Sequence, residues 1–276
     1  MRVAILGMGA IGHVIARALE GRAELVKVDR TRAPLRDDET PVDAAILTTK
    51  TPGTAWAAAI AAKILAPDGV ALTIQNGLGN YEILVEHVGR ERAAVGVIYV
   101  GAQLLNGELR ATGPGKVELG RPTAATSRTK LDELGRTLHE GGMDVTVVDD
   151  AWPAVWRKVV TNAAVNPLTA FIHRTNAELL ADAPASRVAD GIAREVARVA
   201  TASGVRISED EAVKQWRAMA ALTGANRSSM LQDVEAGRPT EIDAISGAVA
   251  REGERRGVAA PLNQAMTLLI ASLARA

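Results

Sequence analysis

Residues 2–12, RVAILGMGAIG, combine a short apolar run with glycines at positions 7, 9 and 12. In a strand–turn–helix context the first glycine permits a tight turn, the second lets the backbone approach a pyrophosphate, and the third allows close packing of helix on strand. The helical pattern IGHVIARALEGR follows, and its N-terminus offers unpaired N–H groups to phosphates. We therefore expect a dinucleotide to be bound by Gly7, Met8, Gly9, Ala10, Ile11 and Gly12. The alternative is a tight strand-to-helix turn without a ligand.

The end of the second predicted strand, ELVKV (24–28), bears on the choice of dinucleotide. Asp29 follows it, where a carboxylate can hold the ribose hydroxyls of NAD. Arg30 and Arg32 come next, and a guanidinium can hold the 2′-phosphate of NADP. These two signals conflict, and the alternative to both is a group of solvated loop charges.

Two further polar residues follow predicted strands. Lys50 comes after VDAAILTT (42–49), and Asn76 comes after VALTIQ (70–75). Ligands of parallel sheets gather at the carboxyl ends of the strands, so we expect both side chains at the edge that carries the glycine loop. A solvated lysine and a plain Asn-Gly turn are the alternatives.

The alternation of strands and helices up to about residue 150 predicts an α/β domain with a parallel sheet. KVELG (116–120) and DVTVVD (144–149) are predicted as later, antiparallel or edge strands. Beyond Asp150 the pattern is helical throughout, for instance in RVADGIAREVARVATASG and EIDAISGAVAREGERRG. The sequence therefore predicts two domains, residues 1–149 and 150–276.

Composition excludes several classes of function. The 32 basic and 32 acidic residues cancel, so the charge balance predicts no nucleic-acid or acidic-membrane partner. The absence of cysteine excludes disulfides and thiolate metal sites and suits a cytoplasmic protein. The four histidines lack metal-ligand spacing, so no metal site is expected. No signal peptide or membrane span is predicted either. The C-terminal stretch MTLLIASLARA fits either core or the surface of a homodimer.

An unusual polar stripe lies in RKVVTNAAVNPLTA (157–170). Lys158, Asn162 and Asn166 recur at every fourth residue, which places them on one face of a helix. Pro167 is expected to end or kink that helix. An exposed stripe on an amphipathic helix is the alternative, but such a stripe would be expected to mix in acids and arginines. One lysine with two amides suits a pocket that donates hydrogen bonds to an anionic ligand.

A second polar cluster lies in NRSSMLQDVEAGRPTEID (226–243). Helix capping is the common use of such residues, by Ser228 or Ser229 for MLQDVEAG and by Thr240 for a helix starting at Glu241. The functional interpretation assigns one serine and Glu241 to the wall of the pocket.

These stretches resemble the ketopantoate reductase family, the 2-dehydropantoate 2-reductases. The resemblance is carried, in the family's order, by GMGAIG (7–12), TTKT (48–51), QNGLGN (75–80), KVVTNAAVNPLTA (158–170) and SSMLQDVEAGRPTEID (228–243). It implies an N-terminal Rossmann domain followed by an all-α domain similar to the C-terminal domain of 6-phosphogluconate dehydrogenase. It further implies NADPH-dependent reduction of a small-molecule 2-keto acid, 2-dehydropantoate, to (R)-pantoate on the way to pantothenate and coenzyme A.

The resemblance also implies individual roles. Lys158 matches the catalytic lysine that donates a proton to the keto oxygen, and Glu241 matches a glutamate that helps to order the active site. Substrate-binding residues are implied at Asn76, Asn162, Asn166 and Ser229. Cofactor contacts are implied at the glycine loop, Arg30, Lys50, Asn76 and Glu241.

The chain departs from the family between Arg30 and Pro41, where it is short, and in having Asp29 beside Arg30. NADPH is favoured over NADH, because a guanidinium and an ammonium outweigh one carboxylate near a phosphate dianion. Asp29 keeps a second hypothesis open, an NAD-dependent D-2-hydroxyacid dehydrogenase acting on another 2-keto acid. The alternative from another class is a dinucleotide sensor without catalysis.

Overall fold

The computed structural model describes residues 1–29, 41–105 and 108–273. The chain divides into two compact units. The first, here called the sheet unit, comprises Met1–Gln75 and Asn80–Ala151; the second, the helical unit, comprises Asn76–Gly79 and Trp152–Ala276. The four-residue segment 76–79 thus belongs with the helices, although only two residues separate it from a strand of the sheet that ends at Thr73.

Within the described residues, the sheet unit has seven strands, numbered along the chain and arranged in the order β2-β1-β3-β4-β5-β6-β7. The first five strands run parallel, β6 is antiparallel to β5, and β7 is parallel to β6. The prediction of late antiparallel or edge strands is therefore confirmed. The strands are β1 (Arg2–Leu6), β2 (Glu24–Val28), β3 (Val42–Leu47), β4 (Leu65–Thr73), β5 (Ala93–Leu105), β6 (Glu108–Gly120) and β7 (Asp144–Val148).

Helices cover the sheet, which explains why its central strands are apolar on both sides. Val3, Ile5 and Ile46 form a core with residues of two helices, and Leu6 and Leu47 at alternate positions are also fully buried. The helices of this unit are α1 (Ala10–Leu19), α2 (Thr54–Ile64), α3 (Asn80–Val88) and α4 (Arg128–Glu140), with a short 3₁₀ helix at Thr51–Gly53.

The register of the parallel strands places four strand ends level with one another. Leu6 pairs with Val28 and with Leu47, and Leu47 pairs with Thr73. These four residues are followed by the glycine loop, Asp29, Thr48–Lys50 and residues 74–75, respectively, in the order β1, β2, β3 and β4. The glycine loop, Asp29 and Lys50 therefore lie at the carboxyl edge of the sheet, where ligands of such sheets bind.

The helical unit contains no strand among residues 152–273, as predicted. Its helices are α5 (Trp152–Ile172), α6 (Asn176–Ala181), α7 (Ala183–Ala202), α8 (Glu209–Leu222), α9 (Ser229–Glu235), α10 (Ser246–Arg256) and α11 (Pro261–Leu273). The α/β class with a parallel sheet and an all-helical second part is thereby confirmed. One boundary was wrong: the helix expected to start at Glu241 starts at Ser246, because residues 242–245 form turns.

Candidate functional site

Two of the three glycines in the loop are required by close packing. Gly7 has a φ of +113°, and a Cβ there would lie 2.7 Å from Thr49 Cγ2. A Cβ on Gly12 would lie 2.1 Å from the carbonyl oxygen of Gly7. The Thr48 hydroxyl also donates to that same carbonyl, at 2.5 Å. The turn between β1 and α1 therefore leaves no room for side chains at positions 7 and 12.

The remaining glycine faces open space. Among the described residues outside its chain neighbours, no atom lies within 4 Å of a Cβ built on Gly9, which is the exposed N-cap residue of α1. No side chain caps this helix, and no acidic residue occupies its first turn, which begins with Ala10 and Ile11. The first N–H groups of a helix lack intrahelical partners and favour anions. An open approach to an uncapped helix N-terminus fits the pyrophosphate of a dinucleotide, which stays a prediction for residues 7–12.

The charged residues that were expected to distinguish NAD from NADP are only partly described. Asp29 is half-buried directly after β2, and Lys50 is exposed at the start of the 3₁₀ helix. Arg30 and Arg32 lie outside the described residues. The expected competition between the Asp29 carboxylate and the basic side chains therefore stays a prediction.

A hydrogen-bonded network that the sequence did not predict ties the ends of β3 and β4 together. Gln75 Nε2 donates to the carbonyl of Thr49 at 2.9 Å and to Thr54 Oγ1 at 2.8 Å. The Thr73 hydroxyl donates to Gln75 Oε1 at 2.9 Å, and Thr54 Oγ1 donates to Asn80 Oδ1 at 2.8 Å. The amide of Gln75 thus fixes the backbone next to Lys50. The only signal in the sequence was the run of threonines and amides after two neighbouring strands.

In the helical unit, the predicted stripe lies on α5. Lys158 and Asn162 are half-buried and Asn166 is 9% exposed, while Val159, Val160 and the neighbouring alanines are in the core. Pro167 does not end the helix, which continues to Ile172. The stripe is therefore part of one long buried helix rather than of a solvated surface.

Glu241 brings together two residues that are far apart in the sequence. Its Oε2 accepts a hydrogen bond of 3.0 Å from Asn76 Nδ2, across 165 positions of the chain. Its carboxylate also attracts the ammonium of Lys158. Three of the predicted site residues, Asn76, Lys158 and Glu241, are thus assembled in this unit.

Burial lowers the pKa of the Lys158 ammonium to about 8, and the carboxylate of Glu241 opposes this shift. Desolvation disfavours the charged form of a lysine, whereas a nearby anion favours it. The amine is therefore a stronger acid than an exposed lysine, yet it remains mostly protonated at pH 7.

The backbone of segment 76–79 is held against the turn at 242–245. Leu78 N donates to the carbonyl of Ala244 at 2.8 Å. Gly77 has a φ of +85°, and a Cβ there would lie 2.2 Å from that same carbonyl oxygen. Gly77, the first glycine of QNGLGN, is therefore needed for the close approach of two backbones, and this approach places Asn76 beside Glu241.

The two serines of the second cluster have different environments. Ser228 is the N-cap of α9 and is buried, and its Oγ accepts from Leu231 N at 3.1 Å. Ser229, the first residue of α9, is exposed. The capping role falls to Ser228, so Ser229 stays the predicted substrate residue. The described contacts do not join Asn162, Asn166 or Ser229 to the group formed by Asn76, Lys158 and Glu241.

Two other features of the described ranges bear on function. None of their helices combines the length and apolar character needed to cross a bilayer. Within the same ranges, no cluster of three or more histidine, aspartate or glutamate side chains is arranged to hold a metal ion.

Comparison with known proteins identifies two family matches. Residues 150–274 match the family model described as ketopantoate reductase PanE/ApbA C terminal, and residues 20–123 match the one described as ketopantoate reductase PanE/ApbA.

Curated relatives carry the name 2-dehydropantoate 2-reductase. The protein of Archaeoglobus fulgidus is 30% identical, with 98% of this chain and 96% of that protein aligned. The protein of Halobacterium salinarum is 35% identical over 73% of this chain, an alignment that spans 66% of that protein's length.

Solved structures extend the similarity to the whole chain. 2-Dehydropantoate 2-reductase from Geobacter metallireducens superposes with a TM-score of 0.90 at 27% identity, covering 99% of both chains. A complex of D-mandelate dehydrogenase with NADH superposes with a TM-score of 0.89 at 25% identity, covering 100% of this chain and 99% of that one.

Proposed function

The chain belongs to the ketopantoate reductase family, and from that premise we propose that it reduces 2-dehydropantoate to (R)-pantoate with NADPH. As a member of this family it is a dinucleotide-dependent oxidoreductase, as the sequence resemblance predicted. The observation that carries the proposal is the grouping of Asn76, Lys158 and Glu241, which supplies a cation and hydrogen-bond donors for a keto acid. The product would enter the synthesis of pantothenate and coenzyme A in the cytoplasm.

Lys158 is proposed as the proton donor. The chemistry that a bound reduced nicotinamide would supply is a hydride for the keto carbon, which would form the new C–H bond while the carbonyl π electrons moved onto oxygen. The ammonium stabilises the charge that develops on this oxygen and transfers a proton to it, which gives the hydroxyl group. Lys158 is left as the neutral amine and regains a proton from water before the next turnover.

The pKa of Lys158 suits this role. With a pKa lowered by burial to about 8, the side chain is charged at pH 7 but gives up its proton more readily than an exposed lysine. The Glu241 carboxylate limits the lowering of this pKa, and it also accepts the hydrogen bond that fixes the amide of Asn76. Glu241 therefore helps to keep Lys158 protonated and also holds the side chain of Asn76 in place.

The remaining side chains of the helical unit are proposed as substrate contacts. Asn162 and Asn166 continue the stripe of Lys158 along α5, and Ser229 is exposed at the start of α9. Amides and hydroxyls can donate hydrogen bonds to the carboxylate and hydroxyl groups of 2-dehydropantoate without adding a competing charge.

The cofactor contacts are proposed mainly for the sheet unit. The glycine loop at residues 7–12 would hold the pyrophosphate, and Lys50 with Arg30 would hold the 2′-phosphate of NADPH. Asn76 and Glu241 are proposed as contacts to the nicotinamide end. The homodimer considered for the C-terminal stretch stays a prediction.

A second candidate function is an NADH-dependent D-2-hydroxyacid dehydrogenase. Asp29 favours it, because this half-buried carboxylate follows β2 directly, where it would repel a 2′-phosphate. The similarity to D-mandelate dehydrogenase in complex with NADH points in the same direction.

One panel of steady-state rates separates these functions. The purified protein is given NADPH or NADH with 2-dehydropantoate, pyruvate, 2-oxoisovalerate or phenylglyoxylate, and the loss of reduced-nicotinamide absorbance is followed. We expect the largest kcat/KM for 2-dehydropantoate with NADPH. A preference for NADH and another acid would instead establish the second candidate. Binding of a dinucleotide without turnover of any keto acid would contradict both enzymatic functions and would support a dinucleotide sensor without catalysis.

A further inference from the structure

A buried pair of hydroxyl groups lies between α5 and α9, next to two of the proposed substrate residues. Thr169 Oγ1 and Ser228 Oγ are 2.7 Å apart. Thr169 is three residues after Asn166 on α5, and Ser228 directly precedes Ser229. Thr169 is 0% exposed and Ser228 is 7% exposed, so water has little access to this hydrogen bond.

The surrounding groups satisfy both hydroxyls. Ser228 Oγ accepts from Leu231 N at 3.1 Å. When Thr169 donates to Ser228, the serine can donate to the carbonyl of Asn166, which is 3.5 Å away. When Ser228 donates to Thr169, the threonine can donate to the carbonyl of Val165 at 2.9 Å. Because each hydroxyl has one hydrogen, both arrangements keep the link between the helices.

Thr169 also contacts the backbone of α5 close to a proline. Pro167 directly follows Asn166 and lacks a backbone N–H, so the helix loses the hydrogen bond to the carbonyl four residues earlier. The hydroxyl of Thr169 lies 2.9 Å from the carbonyl of Val165 and 3.1 Å from that of Asn166. The same side chain thus supports the backbone that carries Asn166 and joins it to the helix that carries Ser229.

We propose that Thr169 is a positioning residue: through Ser228 its hydroxyl fixes the separation of Asn166 and Ser229, and so sets the affinity for the carboxylate-bearing end of the substrate. Thr169 itself does not contact the substrate. This inference rests on the proposed function, because it concerns the binding of a 2-keto acid by these two residues.

Two substitutions at position 169 separate the hydroxyl from the packing of the side chain. Thr169→Val keeps the shape but removes the hydroxyl, and it should raise KM for the 2-keto acid by about tenfold, because Asn166 and Ser229 would no longer be held at the separation that the substrate needs. Its kcat and its Kd for NADPH should change by less than about twofold, because Lys158 and the glycine loop are untouched. Thr169→Ser keeps the hydroxyl and should retain a KM within about twofold of wild type.

Ser228→Ala removes the other end of the same hydrogen bond. It should also raise KM, and the double variant Thr169→Val/Ser228→Ala should raise KM by less than the product of the two single effects, because both changes remove one shared interaction. If Thr169→Val fails to fold, Ser228→Ala carries the same prediction for KM. Circular dichroism and the thermal midpoint establish folding for each variant.

These measurements distinguish a failure of the positioning role from a failure of the proposed function. Wild-type turnover with an unchanged KM in Thr169→Val, or an equal rise of KM in Thr169→Ser, overturns the positioning role alone. An independent, multiplicative effect of the two substitutions overturns it as well. Absence of wild-type turnover with every 2-keto acid overturns the proposed function, and the positioning role with it.

Discussion

The glycine loop and the polar stripe of α5 are two sites of opposite construction. The loop is made of backbone: six consecutive residues form it, and its glycines either exclude a side chain, as at Gly12, or leave open space, as at Gly9. The stripe is made of side chains whose properties depend on distant residues. Asn76 reaches Glu241 across 165 positions, and that carboxylate also acts on Lys158.

The two constructions predict different responses to substitution. Changes in the loop are expected to act on packing and on the proposed binding of a dinucleotide, because no ionisable group is involved. Changes in the stripe are expected to act on charge and on the proposed proton transfer, because the lysine is held in a partly desolvated position at a cost in stability. Substitutions in the loop and in the stripe should therefore separate effects on affinity from effects on rate.

The largest effect is expected from Lys158→Met. Loss of the proton donor should lower kcat by ~10²–10⁴-fold, while Kd for NADPH stays within a factor of about two. Lys214→Met, a change of an exposed lysine on α8, is the matched control and should leave kcat unaltered. Steady-state kinetics and fluorescence titration of NADPH measure both quantities. A kcat close to wild type would show that the proton comes from elsewhere.

Lys158→Met also tests how much the burial of this ammonium lowers the free energy of unfolding. The folded pKa of Lys158, about 8, lies below its ordinary value of 10.5, so the unfolded chain binds more protons between these values. The charged lysine therefore lowers the free energy of unfolding below pH 8. This loss disappears as the pH rises from about 8 to 10.5. Lys158→Met should be more stable than wild type at pH 7, by up to about 3 kcal/mol, and this gain should shrink towards pH 10.

An intermediate effect is expected from a pair of changes in the loop. Gly12→Ala would place a Cβ 2.1 Å from the Gly7 carbonyl oxygen, and should lower the free energy of unfolding by about 1–3 kcal/mol. The methyl group of Gly9→Ala meets no atom of the part of the chain that the structure describes, so the stability of this variant should stay within about 0.5 kcal/mol of wild type. The methyl group would enter the proposed phosphate site and should raise Kd for NADPH by about tenfold. Equal losses of stability in the two variants would contradict the prediction that, of these two glycines, only Gly12 is required by close packing.

The smallest effect is expected from Glu241→Gln, which keeps an acceptor for Asn76 Nδ2 but removes the charge. For wild type, kcat/KM for reduction should fall as pH rises through about 8, since the free enzyme loses the proton on Lys158. The carboxylate of Glu241 raises the pKa of Lys158, so the variant should lose activity at lower pH than wild type. A pH–rate profile of both proteins decides this, and coincident profiles would contradict electrostatic coupling.

Much of the sheet unit was predictable because its signals are local. Apolar runs that stop at glycine, asparagine or lysine marked the strands, and the spacing of Gly7, Gly9 and Gly12 marked the turn into α1. The stripe on α5 was also predictable from its four-residue spacing, although Pro167 suggested an earlier end than Ile172.

What the sequence did not reveal depends on contacts between distant residues. The amide of Gln75 meets Thr49 and Thr54, and the hydroxyl of Thr169 meets Ser228, without any periodic pattern that would pair them. The lowered pKa of Lys158 likewise required knowledge of its burial. Helical spacing predicts which residues share a face, but it does not predict what covers that face.

The membership of Asn76–Gly79 in the helical unit has a consequence for exchanging parts between relatives. A chimera joined only at Ala151 would combine Asn76 and Gly77 from one parent with Glu241 and Ala244 from the other. The close approach at Gly77 and the hydrogen bond to Glu241 would then depend on residues of mixed origin. The smallest transferable module is therefore two stretches of chain, Asn76–Gly79 together with everything after Ala151.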